Sequence, residues 1–374
     1  MKIVCKIVFY LWICSAASLA PGNKQAAGAL VYRGASDASA AVAIGKDVFV
    51  VADDENNVLR VYKTSQGGLP LLSYDMTEFL DIEPEHPEAD IEGATMIGPG
   101  PRFAGTQRIY WITSHGRNKD GKMRPNRYRF FATTIKVENG NVTITPVGTP
   151  CKTLIHSLLK AENTRHLRLD RATRFDATEL TKKEREKLAP KEEGLNIEGL
   201  CASADGRTIY IGFRNPRPVD RVTSHKKALV VPLNNPKQVI EDSKTPIFGQ
   251  PILWDLADLS IRSMEYSHFH KVYFIIAGSF DESPKFALYR WSGKKETPPV
   301  LVRELSQSNF SPEALVIFKN SDKLFMLSDD GSLEIKVGGA WECMEDEFRK
   351  DGTCLNKYLI DPKRKTFRGL WLAP

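Results

Sequence analysis

Alternation of apolar and polar positions dominates this 374-residue chain. Runs of period two, rich in β-branched and aromatic residues, predict strands. The clearest are "DVFVVAD" (47–53), "VLRVYKT" (58–64), "RIYWITS" (108–114), "YRFFATTIKV" (128–137) and "TIYIGF" (208–213). Further along come "ALVVPL" (228–233), "KVYFIIAGSF" (271–280), "FALYRWS" (286–292), "PVLVREL" (299–305) and "KLFMLSD" (323–329). Turn-forming clusters such as "ENN", "SADG", "KNSDK" and "SDDG" separate them.

The strands fall into a repeat. Each unit opens on a small-residue strand, continues with a hydrophobic strand that ends in polar residues, and follows with an aromatic-rich strand. A more polar fourth strand often closes it. Five unit starts align: "DASAAVAIG" at Asp37, "DIEGATMIG" at Asp90, "NIEGLCASA" at Asn196, "SIRSMEYS" at Ser260 and "SPEALVIF" at Ser311. They lie 53, 106, 64 and 51 residues apart. Four-stranded units repeating at roughly 50 residues predict an all-β propeller.

The long gap holds either an extra blade or an insertion. From Thr153 to Glu193 the pattern is helical and charged, and "TKKEREKL" opens with a capping box from Thr181 to Glu184. A helical insertion at about 153–193 and five blades follow, with six blades still compatible. Either "ALVYRG" (29–34) or "KTFRGLWL" (365–372) would close the ring by completing a blade with the other end of the chain. An irregular pair of β-sandwiches is the alternative architecture.

The first residues depart from this pattern. Lys2 and Lys6 flank the start of the apolar run "IVFYLWIC", and small residues follow in "SAASLA". The run is too short to span a bilayer, which takes about 20 residues, and it fits a signal peptide over 1–20. Trp12 and Ile13 are too bulky for a lipidation signal at Cys14. The expectation is a secreted or periplasmic single domain over 21–374, with no membrane span. Loss of Lys2 and Lys6 would lower the formal net charge from +6 to +4. With no basic groove interleaved with aromatics, nucleic acid is not an expected partner.

Four cysteines remain beyond that segment: Cys151, Cys201, Cys343 and Cys354. Export permits disulfides, and the short polar loop between Cys343 and Cys354 favours that pair. A zinc site would need a CxxC spacing that is not found.

The repeat sets the chemistry. In a propeller the first strand of each blade lines the central channel and the second runs antiparallel to it. The start of one and the end of the other open on the same mouth. The third positions of the units, Ser39, Glu92, Glu198, Arg262 and Glu313, should converge there. The second-strand ends add Asp53, Asp54, Ser114, His115, Arg117, Asn118, Arg214, Asn215, Asp281, Glu282, Asp329 and Asp330, and a loop adds Arg124, Asn126 and Arg127. Converging carboxylates need a cation, an arginine partner or raised pKa values to coexist.

In one reading, Glu92, Glu198 and Glu313 hold a metal. Ca²⁺ suits such an oxygen set, and Zn²⁺ is disfavoured by the single histidine. Glu92 and Glu198 would polarise water, and His115 would act as acid or base. Arg117, Arg127, Arg214 and Arg262 would clamp an anionic small molecule. In the other reading, glutamates and arginines pair and hold neighbouring blades in register. "HFH" at His268 and His270 has metal-like spacing but belongs to the opposite mouth. No GxSxG, HExxH or P-loop is found. Asn141 and Asn309 head glycosylation sequons.

The phrases "ADIEGATMIG", "RIYWITSHGRNKDGKMRPNRYRFFAT", "GLNIEGLCASADGRTIYIGFRNPRP", "YFIIAGSF" and "FSPEAL" together resemble the bacterial family known as domain of unknown function 3616, over roughly 31–372. That resemblance implies no activity and transfers no catalytic residue. More distantly, the "DIEG" and "PEAL" strand starts are similar to phytase-like esterase propellers. There the likeness, resting on Glu92, Glu198 and Glu313, implies carboxylates holding Ca²⁺ that binds phosphate. Thin Asp clusters, and Arg262 at one of the glutamate positions, depart from a multi-calcium pattern. Two functions therefore stand. One is a metal-assisted ester or phosphoester hydrolase. The other is a non-catalytic, binding or scaffold propeller recognising a peptide, glycan or cell-envelope partner. A monomer is expected in either case.

Overall fold

The structure is a computed structural model that describes residues 28–98, 107–138, 141–177, 179–190, 193–220, 222–281, 283–305 and 309–374. The signal peptide expected over 1–20 and Glu282 lie outside the described residues.

Strand β1 (Leu30–Arg33) precedes four blades that are each continuous in sequence. The first is β2 (Ala38–Ala43), β3 (Val48–Asp53), β4 (Val58–Lys63) and β5 (Leu72–Asp75). The second is β6 (Ile91–Ile97), β7 (Arg108–Thr113), β8 (Phe130–Glu138) and β9 (Asn141–Cys151). The third is β10 (Asn196–Ala202), β11 (Ile209–Asn215), β12 (Ala228–Leu233) and β13 (Ile252–Trp254). The fourth is β14 (Ser260–Ser267), β15 (Val272–Gly278), β16 (Phe286–Trp291) and β17 (Val300–Glu304).

The fifth blade uses both ends of the chain. It runs β18 (Pro312–Val316), β19 (Leu324–Ser328), β22 (Thr366–Leu372), then β1, with Leu30 opposite Gly369. Both candidate closing strands are therefore used, one as the third strand and one as the fourth. Each blade is an antiparallel, four-stranded sheet, and the inner strands β2, β6, β10, β14 and β18 form a closed circle of neighbours. Five blades account for the ring. The sixth blade left open by the long gap is replaced by helices, and a pair of sandwiches is ruled out by the circular contacts.

Blade position explains which strands alternate. Second strands are sandwiched by neighbouring blades, so β3 ("VFVVAD") and β19 ("LFMLS") are buried at every residue, as sheets covered on both faces are. The outermost strand β17 ("VLVRE") has no fully buried residue.

The "IEG" phrase has a structural reason. Each inner strand carries a β-bulge, and the unpaired residue is Ser39, Glu92, Glu198, Arg262 or Glu313. A bulge bends the strand and re-aims that side chain. The next residue is always small: Ala40, Gly93, Gly199, Ser263 or Ala314. A Cβ on Gly199 would stand 2.7 Å from Ile261 of the next blade, and one on Gly93 would stand 3.0 Å from Leu200. Inner strands also bond to one another through side chains. Thr95 Oγ1 accepts from the Ala202 amide at 2.8 Å, and Ser263 Oγ accepts from Leu315 at 3.1 Å.

Helices α1 (Leu154–Lys160), α2 (Asp170–Thr173) and α3 (Lys182–Lys187) fill the insertion between β9 and β10. The Thr181–Glu184 capping box opens α3, and α4 (Pro236–Glu241) sits between β12 and β13. The hairpin β20 (Glu334–Lys336) and β21 (Thr353–Leu355) is inserted between β19 and β22. The Cys343–Cys354 disulfide staples it, Cys201 is buried, and Cys151 is partly exposed. Lys357 ties the hairpin to Glu55 of the first blade at 2.7 Å. No helix among the described residues is long and apolar enough to cross a membrane.

Candidate functional site: the channel mouth

The bulged residues and the second-strand ends meet at one mouth, which divides into two electrostatic halves. Blades three to five supply a guanidinium–carboxylate network. Glu198, only 4% exposed, accepts from Arg214 Nη1 at 2.8 Å, Arg262 Nη1 at 3.1 Å and Asn196 Nδ2 at 2.9 Å. Arg262 also pairs with Glu313 at 3.1 Å. Burial pushes the Glu198 carboxyl up, but Arg214 and Arg262 more than offset it and hold the group below its ordinary value. Glu313 has Arg262 as its one ion-pair partner among the described residues, and burial pushes it up to about 8.

The other half, on blades one and two, is carboxylate-rich. Oxygen atoms of Asp54, Asp90 and Glu92 all lie within 4.8 Å of one another, and so do those of Asp37, Asp53 and Asp54. Asp53 is held by the amides of Ser36 and Glu55, each at 3.0 Å. Asp90, in the left-handed region at φ 62°, pairs with Arg127 at 2.9 Å. Asp54 Oδ1 is buried with no hydrogen-bond partner among the described residues. Burial and the charges of Glu92, Glu55 and Asp53 push the Asp54 carboxyl well above its ordinary value. Glu92 carries no ion pair among the described residues, and burial with the charges of Glu198, Asp90 and Glu313 pushes it well up too. Asp37 is raised by burial and by Asp329, which faces it across an isolated bridge.

The glutamate trio expected to share one metal is thus divided. Glu198 and Glu313 are both held by Arg262, whereas Glu92 faces Asp54 and Asp90. Most donors of the arginines expected to clamp a ligand are taken up by the protein, although the Nε–H groups of Arg117 and Arg262 are buried without a partner among the described residues. Arg214 gives Nε to the Phe280 carbonyl and Nη2 to that of Asp281. Arg262 gives Nη2 to Ser279 O at 3.1 Å. Arg127 pairs with Glu88 as well as Asp90. Arg117 is not at the mouth at all, because it donates to the carbonyls of Gly121 and Thr173, against the helical insertion.

His115 is also misplaced for acid–base work. It takes a left-handed φ of 53°, its Nδ1 sits 2.8 Å from Thr113 O, and its ring packs edge-on to Tyr128. Burial lowers its pKa to about 4, and its charged neighbours are Arg129 and His156. Asp330, expected at the rim, is locked to Arg368 at 2.6 Å. The residues that sequence reasoning placed outside its metal set are Asp37, Asp54 and Asp90. Their signal was present: Asp37 and Asp90 head the first two aligned units, and Asp54 directly follows a second strand.

At the opposite mouth the inner-strand ends surround a 1420 Å³ cavity that takes in Glu265 and His268. Burial pushes the Glu265 carboxyl up to about 8.

A five-bladed propeller with a carboxylate-rich channel mouth is the class that this architecture defines. The chain belongs to the family described as protein of unknown function (DUF3616), whose profile matches residues 37–309, from the first blade to just short of β18. No curated protein matches the sequence. Among solved structures, the chain is similar to the Cps50 (Swd1) β-propeller domain of Myceliophteria thermophila, at 8% identity and a TM-score of 0.31, covering 80% of this chain and 96% of that one. It is also similar to the PQQ-bound aldose sugar dehydrogenase (Adh) of Streptomyces coelicolor, at 9% identity and a TM-score of 0.40, covering 93% and 99%. Neither likeness carries an argument at these scores, and the propeller assignment rests on the chain's own strand order.

Proposed function

We propose that the channel mouth binds a hard divalent cation, Ca²⁺ in the first instance, at Asp54, Asp90 and Glu92, and through it an anionic ester or phosphoester. The observation that carries this reading is the geometry of that trio. Ca²⁺–oxygen distances are about 2.3–2.6 Å, so two ligands of one ion lie up to roughly 5 Å apart. The trio's oxygens lie within 4.8 Å of one another, inside that limit, and Asp54 Oδ1 has no other partner among the described residues. Because Arg127, Arg214 and Arg262 are taken up by carboxylates and carbonyls, an anionic ligand would find its positive charge in the cation. A bound cation of this kind lowers the pKa of its water and neutralises developing charge. Glu313, with its carboxyl at about 8, favours its protonated form at neutral pH and would be the proton donor to a leaving group.

Binding without turnover is the second reading, favoured by the position of His115, which faces the protein interior and supplies no base to the mouth. We also place the protein in an oxidising compartment, secreted or periplasmic, on the support of the Cys343–Cys354 bridge.

The test is thermal unfolding with millimolar Ca²⁺ against chelator. A ligand at about 100 times its Kd stabilises by about 2.7 kcal/mol, and that gain should vanish in Asp54→Asn and Glu92→Gln. The cation assignment is sunk if Ca²⁺ leaves the midpoint unmoved, or moves it equally in both variants. Turnover of aryl phosphates and esters by wild type and its loss in Glu92→Gln would separate the hydrolase from the binding reading. Glu198→Gln is unsuitable for this purpose, since it breaks two buried ion pairs.

A further inference from the structure

Residues of all five blades line the 1420 Å³ cavity at the mouth opposite the carboxylates. Val42, Met96, Ile317 and Phe318 give it apolar walls. Basic side chains reach it too, but in pairs or from exposed turns. Arg207 pairs with Asp205 at 3.6 Å, and Lys237 pairs with Glu241 at 2.8 Å. Lys46 and Lys319 are exposed on the turns that follow β2 and β18. Asp205 and Asp322 are exposed as well, so Glu265 is the one half-buried carboxyl in the lining.

Glu265 shares a face of β14 with Ser263, two residues back. Ser263 Oγ accepts from the Leu315 amide, so that face turns toward blade five. Counted from the bulges, the counterparts of Glu265 in the other blades are Val42, Thr95, Cys201 and Val316. None is charged, so the blade geometry does not call for a carboxyl here. Glu265 Oε1 accepts from the Tyr266 amide at 3.0 Å. Oε2 has no protein partner among the described residues and is not sealed from water, because the side chain opens onto the cavity. Burial pushes the carboxyl up to about 8, and only the Tyr266 amide opposes that. The basic groups of the lining therefore stand too far off to neutralise it.

A carboxylate in such a place lacks donors and positive charge, and a ligand that brings both favours its ionised form. One carboxyl offers too few oxygens for a divalent metal ion. The apolar walls, with the rings of Tyr266 and Trp371 beside them, suit a carbon skeleton behind the charge. We propose that this cavity binds an organic ammonium, a primary amine with an apolar body, its N–H groups donating to Glu265 Oε2 and its body lying along Met96 and Ile317. The site is at the far end of the channel from Asp54, Asp90 and Glu92 and does not rest on the cation reading.

The experiment uses the full chain with chelator present, so that failure of the cation reading cannot be confused with failure of this one. Butyl-, hexyl- and octylammonium are titrated by calorimetry, with 1-octanol and octanoate as the neutral and anionic counterparts. Octylammonium should bind saturably, and affinity should rise about fourfold for each methylene added along the series. It should exceed that of 1-octanol by about tenfold or more, as expected of a hydrogen bond to a charged group. Glu265→Gln keeps an oxygen for the Tyr266 amide, and it should erase the preference for the ammonium while leaving 1-octanol unchanged. The comparison of ammonium with alcohol is made on the wild type and stands even if that variant does not fold. Absence of saturable octylammonium binding, equal affinity for 1-octanol, or unchanged affinity in Glu265→Gln overturns the proposal. Loss of affinity in Glu92→Gln instead would place the amine among the carboxylates of the other mouth and overturn it as well.

Discussion

Replacing Arg262 by methionine tests the arginine half of the mouth. Arg262 is 6% exposed and pairs with Glu198 and Glu313, each at 3.1 Å, besides donating to Ser279 O. Removing one partner of a buried pair costs about 3–5 kcal/mol, because the other charge is left uncompensated. Here two features moderate the loss. Glu198 keeps Arg214 at 2.8 Å, and Glu313 can stay protonated at neutral pH. The expected loss at pH 7 is therefore near the lower bound, about 3 kcal/mol, read as a fall in urea midpoint at constant slope. A protonated Glu313 needs no counter-ion, so Arg262→Met with Glu313→Gln should be about as stable as Arg262→Met alone, whereas adding Glu198→Gln should lower stability further by stranding Arg214. A double-mutant cycle across Arg262 and Glu198 isolates the pair. If Arg262→Met loses less than about 1 kcal/mol, Arg262 is not what keeps these carboxylates in the ring.

Three further outcomes follow from the geometry. His115 is held at a pKa of about 4 in the folded protein, against about 6.5 unfolded. The unfolded chain thus binds the extra proton between those values, and the contribution of His115 to stability should decline as pH falls from 6.5 to 4, by up to about 3 kcal/mol, against the opposite contribution of the raised carboxyls. His115→Phe should flatten that slope in acid-dependent urea unfolding, and an unchanged slope would refute the assignment. Reducing Cys343–Cys354, or replacing both by serine, should cost about 2–4 kcal/mol, confined to the β20–β21 hairpin. Hydrogen exchange should then rise over 334–358 while β2, β6 and β10 keep their protection; loss of protection across the ring would show that the hairpin holds the blades together. Ala at Gly199 should be poorly tolerated, since its Cβ would meet Ile261 at 2.7 Å, and a variant as stable as wild type would contradict the blade spacing.

Much of the ring was legible because local chemistry and global fold agree. The hydrophobic runs of β3, β7 and β15 mark the sandwiched second strands. The unit starts from Asp37 to Ser311 mark the inner ones, Thr181 and Glu184 announce α3, and the short loop favours Cys343–Cys354. What the alignment of third positions could not convey is partner choice. Ser39, Glu92, Glu198, Arg262 and Glu313 look equivalent in sequence, and all five sit at bulges. Yet Arg262 stands between Glu198 and Glu313 and pairs with both, which leaves Glu92 to the carboxylates of blades one and two. Such an outcome depends on blade order around the circle, a property of closure rather than of any single segment. His115 and Arg117 were misread for a related reason. They follow β7 directly, but the left-handed φ at His115 turns the chain away from the axis and onto the insertion.

The join between β1 and β22 has a consequence for how this protein is made. Leu30 finds its partner at Gly369, so the first strand of the ring waits for the last. At about 5–20 residues per second, the interval between them is on the order of 20–70 s. Throughout that time, four blades can assemble from neighbours in sequence while the circle stays open. The fifth blade has its inner pair, β18 and β19, before its outer pair exists. Closing the fifth blade is therefore a latch between the first and the last strand of the ring, and β1 has no partner in that blade until β22 has been made.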